Sequence, residues 1–65
     1  MDGDPLYPNT YAQTGEQLGG ISAKTVQRIV RRGQIAVTII GGKPRILQKH
    51  IEAYLERQTR EAVSP

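Results

Sequence analysis

The stretch Leu18-Gly19-Gly20-Ile21-Ser22-Ala23-Lys24-Thr25-Val26-Gln27-Arg28-Ile29-Val30-Arg31-Arg32-Gly33 decides how this chain folds. Gly19-Gly20 stops the segment before it, because glycine takes the left-handed conformation of a helix end without steric cost. Ile21 then turns back toward a core. Ser22 is a strong N-cap residue, since its hydroxyl can accept from the unpaired N–H groups of a helix start. Val26, Ile29 and Val30 recur at the i, i+3, i+4 spacing of one helical face. A helix is therefore expected from Ala23 to about Arg32, with Ala23, Lys24, Gln27, Arg28 and Arg31 on the opposite face. Gly33 ends it, and Arg31 and Arg32 in its last turn suit the helix dipole.

Upstream, Thr10 and Gln13 have capping-box spacing. They predict a short helix through about Gly19, with Ala12, Gly15 and Leu18 facing inward. Gly15 weakens helix propensity by about 1 kcal/mol against Ala, and close approach of a neighbouring helix would account for it. Two helices separated by Gly20-Ile21-Ser22 have helix-turn-helix spacing, although a plain helical hairpin has it too. Residues 1–9, with Pro5 and Pro8, read as an N-terminal tail that can dock Leu6 or Tyr7 on the core.

Downstream, Ile35-Ala36-Val37-Thr38-Ile39-Ile40 and Lys43-Pro44-Arg45-Ile46-Leu47 flank Gly41-Gly42. Two β-prone runs around a Gly-Gly pair predict a hairpin with a primed turn. Pro44 cannot donate to a ladder, so the second strand is expected at an edge, or to begin after Pro44. A hairpin behind a helix-turn-helix is a wing. The last helix is expected over 48–62, with Ile51, Tyr54, Leu55 and Gln58 along one face. Glu52, Glu56, Arg57, Arg60 and Glu61 solvate the other, with Glu56–Arg60 and Arg57–Glu61 as i,i+4 pairs. Residues 63–65 are expected to fray. The fold class is α+β, a small winged helix-turn-helix over residues 10–62 with a two-stranded hairpin wing and a C-terminal helix.

Charge points to the partner. Between Gln17 and Ile51 there are seven basic residues (Lys24, Arg28, Arg31, Arg32, Lys43, Arg45, Lys49) and no acidic one. The chain has 65 residues and a net charge of +3, so the excess matters because it is segregated. A solvated face also carries charge, but here the charge sits on a helix and a hairpin. That pattern makes double-stranded DNA the leading candidate partner. There is no cysteine and only one histidine, His50. Disulfides and thiolate metal sites are excluded, and no metal or cofactor is called for. No apolar run approaches the roughly 20 residues of a membrane span, and no signal peptide is visible, which points to an intracellular protein. No acid/base or nucleophile–base pair suggests an enzyme.

Roles follow from position. A helix in the major groove reads base edges near its N-terminus, where Lys24, Gln27 and Arg28 are exposed; Gln pairs well with adenine and Arg with guanine. Ser22 and Thr25 can hold a phosphate, and Ser22 can equally be a plain N-cap. Arg31 and Arg32 are expected on backbone phosphate. In the wing, Gly41 and Gly42 permit close approach to a minor groove while Lys43 and Arg45 supply charge. A structural turn with solvated cations is the plainer alternative. Tyr54 reads as core and not as a stacking platform for a base, Tyr7 and Tyr11 as either, and His50 as a surface or helix-start residue.

The span Tyr11 to Leu55 resembles the excisionase-like winged helix-turn-helix family, related to the DNA-binding domains of mercury-resistance-type regulators. The resemblance rests on Leu18-Gly19-Gly20-Ile21-Ser22, Thr25-Val26, Arg28, Arg31 and Gly33. It continues through Ile40-Gly41-Gly42-Lys43-Pro44-Arg45-Ile46 and Ile51-Glu52-Ala53-Tyr54-Leu55. The chain departs from the family at Gly15 and Gly19, where a longer apolar run is usual. It departs also at Pro44, where an aromatic is common, and at His50, where an acidic residue often opens the last helix. The resemblance implies a phage excisionase, or recombination directionality factor, acting in the bacterial cytoplasm. Such a protein binds and bends attachment-site DNA, associates with itself at adjacent sites, and directs a tyrosine integrase toward excision, without catalysis or a small-molecule effector. A small phage transcription regulator, or an adaptor that docks a protein, would use the same fold.

Overall fold

The chain runs β1 (Pro8–Asn9), α1 (Tyr11–Gln17), α2 (Ala23–Arg31), β2 (Thr38–Ile40), β3 (Lys43–Leu47) and α3 (Gln48–Val63). The structure, a computed structural model, describes residues 4–63 and the side chains of 4–59.

Local chemistry starts and stops the first two helices. The Gln13 N–H donates to Thr10 Oγ1 at 3.1 Å, and the Thr10 N–H donates to Gln13 Oε1 at 2.9 Å, completing the capping box. Gly19 and Gly20 adopt φ of 96° and 88°. The N–H groups of Gly20 and Ile21 fold back onto the Gly15 carbonyl at 2.9 and 3.1 Å. With both glycines left-handed, α1 ends at Gln17, two residues short of the expected Gly19. Ser22 Oγ accepts from the Thr25 N–H at 3.2 Å and opens α2. Gly33, at φ 74°, closes it. Its N–H reaches the Val30 carbonyl at 2.9 Å, and the Gln34 N–H reaches Ile29 at 3.2 Å. These paired bonds satisfy carbonyls that a helix end otherwise leaves bare.

The inward face of α1 differs from expectation. Thr14 and Gly15 are buried, Tyr11 and Leu18 are half-buried, and Ala12 is exposed. Tyr11, Thr14, Gly15 and Leu18 form one i, i+3, i+4, i+7 stripe, and Ala12 falls about 100° off it. A Cβ built on Gly15 would collide with the Ile21 carbonyl oxygen, and Val26 Cγ2 lies 3.4 Å away. The close approach expected at Gly15 is therefore made chiefly by the turn between the helices.

The sheet is three-stranded and antiparallel in the order β1-β3-β2, one strand more than the expected wing. Ile40 pairs with Lys43, Ile39 with Pro44 and Thr38 with Arg45. Gly41 and Gly42 both take positive φ, 58° and 79°, the primed turn that matches strand twist. Ile35–Val37 do not join the ladder; Ile35 drops into the core at 4% exposure instead. Pro44 is neither on an edge strand nor ahead of the strand. It sits within central β3, in the non-hydrogen-bonded pair next to the closing pair, so its nitrogen faces away from β2. On that side β1 reaches only Ile46 and Leu47, and no neighbour requires a donor from Pro44.

The remaining strand comes from the expected tail. Its backbone does the docking: the Gln48 and Lys49 N–H groups donate to the Tyr7 and Pro5 carbonyls at 2.9 and 2.7 Å, capping the start of α3. Leu6 and Tyr7 themselves stay 57% and 49% exposed, so neither side chain anchors the segment. Asn9 is buried and anchors it instead. Its Nδ2 donates to the Ile46 carbonyl at 3.2 Å and to Gln48 Oε1 at 3.0 Å, and its Oδ1 accepts from Gln17 Nε2 at 3.2 Å.

Val26, Ile35, Ile46 and Ile51 make the buried core, with Tyr11, Leu18, Ile21, Ile29, Val30, Val37 and Tyr54 packed around it. On α3 the inward stripe holds Ile51 and Tyr54. Leu55, 38% exposed, falls on its rim, and Gln58 is exposed, so neither lines the core as expected. The pairs Glu56–Arg60 and Arg57–Glu61 involve side chains outside the described residues; of the 63–65 end expected to fray, Val63 is the last residue of α3 and Ser64–Pro65 lie outside the described residues.

Candidate nucleic-acid interface

The exposed face of α2 is built by its own buried stripe. Val26 is buried and Ile29 and Val30 are half-buried, which turns Lys24, Gln27, Arg28 and Arg31 to solvent. Lys24, Gln27 or Arg28, and Arg31 follow i, i+3/i+4, i+7 spacing and share one side of the helix. Arg32, the C-cap residue, is exposed beside them. At the other end Ser22 is exposed and Thr25 half-buried. Their hydroxyls lie 3.1 Å apart, and Ser22 Oγ also takes the Thr25 N–H, so the N-cap role of Ser22 is realised. The Ala23 and Lys24 N–H groups have no intrahelical acceptor at this positive helix end.

The wing carries the other expected residues. Gly41, Gly42 and Lys43 are exposed at its tip, while Arg45 is half-buried. Arg45 Nη1 donates to the Pro44 carbonyl at 2.7 Å, which folds that side chain along its own strand. Lys43 is the freer of the two cations. Cβ atoms built on Gly41 and Gly42 would have nothing within 4 Å, so these glycines are needed for their positive φ and not for space.

These surfaces surround a helix-turn-helix, and the family comparison agrees: a model described as a helix-turn-helix domain matches residues 17–59. The chain belongs to the helix-turn-helix domain family. Membership supports double-stranded DNA as the partner and places the matched span over α2, the wing and most of α3. No curated protein and no solved structure matches the chain.

Two features of this helix-turn-helix domain were not visible in the sequence. Gln17 and Gln48 exchange side-chain hydrogen bonds at 3.0 and 2.7 Å, and with Asn9 they join the end of α1 to the β3–α3 junction. No local pattern signals such a triad, because its members are 8 to 39 positions apart. Arg57, expected to solvate α3 and pair with Glu61, donates to the Gln34 carbonyl and lies 5.8 Å from the Tyr54 ring centroid. It thereby ties α3 to the segment that ends α2. Tyr54 is half-buried against the core, as expected. His50 is half-buried in the first turn of α3, and its Nδ1 is buried with no hydrogen-bond partner. Among the described residues there is no group of three His, Cys, Asp or Glu able to hold a metal, and no helix long and apolar enough to cross a membrane.

Proposed function

We propose that this domain is an excisionase-type accessory protein, which binds and bends attachment-site DNA and directs a tyrosine integrase toward prophage excision. The observation that carries the DNA part is the exposed side of α2, where Lys24, Arg28, Arg31 and Arg32 stand with no acidic residue between Gln17 and Ile51. In this reading α2 enters the major groove. Lys24, Gln27 and Arg28 meet base edges, Ser22 and Thr25 hold a phosphate, and Arg31 and Arg32 follow the backbone. Gly41, Gly42, Lys43 and Arg45 bring the wing to the adjacent minor groove. The direction of recombination and the integrase rest on the family resemblance. Self-association along DNA also has a physical motive, since one domain of this size covers little DNA and gains from a bound neighbour.

The test is a gel-shift titration on attachment-region DNA against a random duplex of equal length, repeated over a range of salt. About five to seven phosphate contacts give a log–log salt slope of about −4.5 to −6.3. Successive cooperative bands on attachment DNA are the expected result. Binding confined to a promoter would make the protein a transcription regulator with the same fold. Binding absent at low salt would make it an adaptor for a protein partner.

A further inference from the structure

The tip of the wing is apolar where a solvated turn would be polar. Four residues flank the Gly41-Gly42 turn: Ile39, Ile40, Lys43 and Pro44. Ile39 is 64% exposed and Ile40 46% exposed, and Pro44 is exposed as well. Ile39 is the most exposed large apolar side chain among the described residues. Successive strand residues face opposite ways, so Ile39 and Pro44 share one face of the hairpin and Ile40 and Lys43 the other. Apolar surface thus wraps the tip on both faces.

We infer that this tip is a wedge that unstacks a base step of the bound DNA from the minor groove. The inference rests on DNA being the partner and adds how the DNA would be deformed. Three observations select DNA over a second copy of the chain. Lys43 stands at the tip and Arg45 just behind it, within a stretch that holds no carboxylate between Gln17 and Ile51, so the charge beside the patch suits a polyanion. The patch is also small. A stable protein interface needs roughly 800 Å² from each partner, whereas a wedge needs only one or two apolar side chains such as Ile or Pro. Finally, the turn is narrow. Gly41 and Gly42 carry no side chains, and the minor groove of B-DNA is only about 6 Å wide. The residues behind the tip are anchored, because Ile46 is wholly buried and Asn9 bonds to its carbonyl. A wedge must be held in this way to transmit force to a stacked step.

The test compares the wild-type chain with the double variant Ile39→Ala, Ile40→Ala. Both side chains are exposed, so the variant should keep its thermal unfolding midpoint. A nicked plasmid is sealed by ligase in the presence of each protein at matched occupancy, and its linking number is then read. Affinity is measured in parallel on a short duplex, intact or with a central two-base mismatch. Wild-type protein should leave the plasmid underwound. It should also bind the mismatched duplex about tenfold or more tightly than the intact one, because unstacking a step costs a few kcal/mol. The variant should bind yet lose both effects. Equal linking numbers and equal mismatch preference for the two proteins would overturn the wedge while leaving DNA binding intact. Loss of cooperative bands in the variant, with unwinding retained, would assign the patch to a second copy. No binding to plasmid or duplex by either protein would remove the DNA reading itself.

Discussion

A Cβ at Gly15 would strike the Ile21 carbonyl oxygen, while Val26 Cγ2 would lie in ordinary contact. Gly15→Ala gains about 1 kcal/mol of helix propensity, but the clash is with backbone, which cannot swing aside. Overpacking of this kind costs about 1–3 kcal/mol. The variant should therefore unfold at a lower temperature than wild type in a thermal melt; a higher midpoint would show that the turn relaxes freely. Residues on the outer side of α2 should behave differently. Arg28→Ala should narrow the gap in affinity between a cognate and a random duplex, because a bidentate base contact is worth about 1–3 kcal/mol of discrimination. Lys43→Ala should weaken both duplexes alike and make the salt slope shallower. Competition binding on the two duplexes checks this, and equal losses from Arg28→Ala would remove its base-reading role. Ser22, Thr10 and Gly33 were legible in the sequence because a cap is a bargain between residues three or four apart. Ala12 and Leu55 were not, since which side of a short helix is buried depends on what packs there.

At the scale of elements, the ends of α1 and α2 and the hairpin turn carry their own signals, and each forms where that signal places it to within a few residues. The hairpin between Ile40 and Lys43 needs only Gly41-Gly42 to close it. Strand β1 has no such signal. Pro8 and Asn9 look like loop residues, and they become a strand only because Ile46 and Leu47 offer an open edge. The same cause hid the place of Pro44, which is tolerable in a central strand only because β1 is too short to reach it. The contribution of β1 rests on Asn9, whose amide bonds to Ile46, Gln48 and Gln17. Asn9→Ala would remove the side-chain bonds to the Ile46 carbonyl, Gln48 and Gln17, at a cost of about 1–3 kcal/mol, and leave Gln17 and Gln48 bonded only to each other. Hydrogen exchange should then quicken at the Gln48 and Lys49 amides, which the Tyr7 and Pro5 carbonyls otherwise protect. Unchanged protection at those two amides would mean that the segment docks without Asn9.

For the molecule as a whole, a small core sets the margin. Stability of about 0.05–0.15 kcal/mol per residue leaves a chain of this length about 3–10 kcal/mol. Removing a buried isoleucine costs about 2–5 kcal/mol, so Ile46→Ala or Ile51→Ala should leave much of the population unfolded at room temperature, as circular dichroism would show. A fully native spectrum for both would mean that the half-buried ring of Tyr11, Leu18, Ile21 and Tyr54 carries more of the load than the centre. The pairing of Pro8–Asn9 with Ile46–Leu47 has a further consequence in time. Helix, turn and hairpin contacts close short loops, whereas this pairing closes one of nearly forty residues and bears the largest entropic delay. On that ground β1 is expected to dock after the barrier to folding is crossed. Asn9→Ala should leave the refolding rate almost unchanged and speed unfolding, and the first segment of the chain would be the last to find its place.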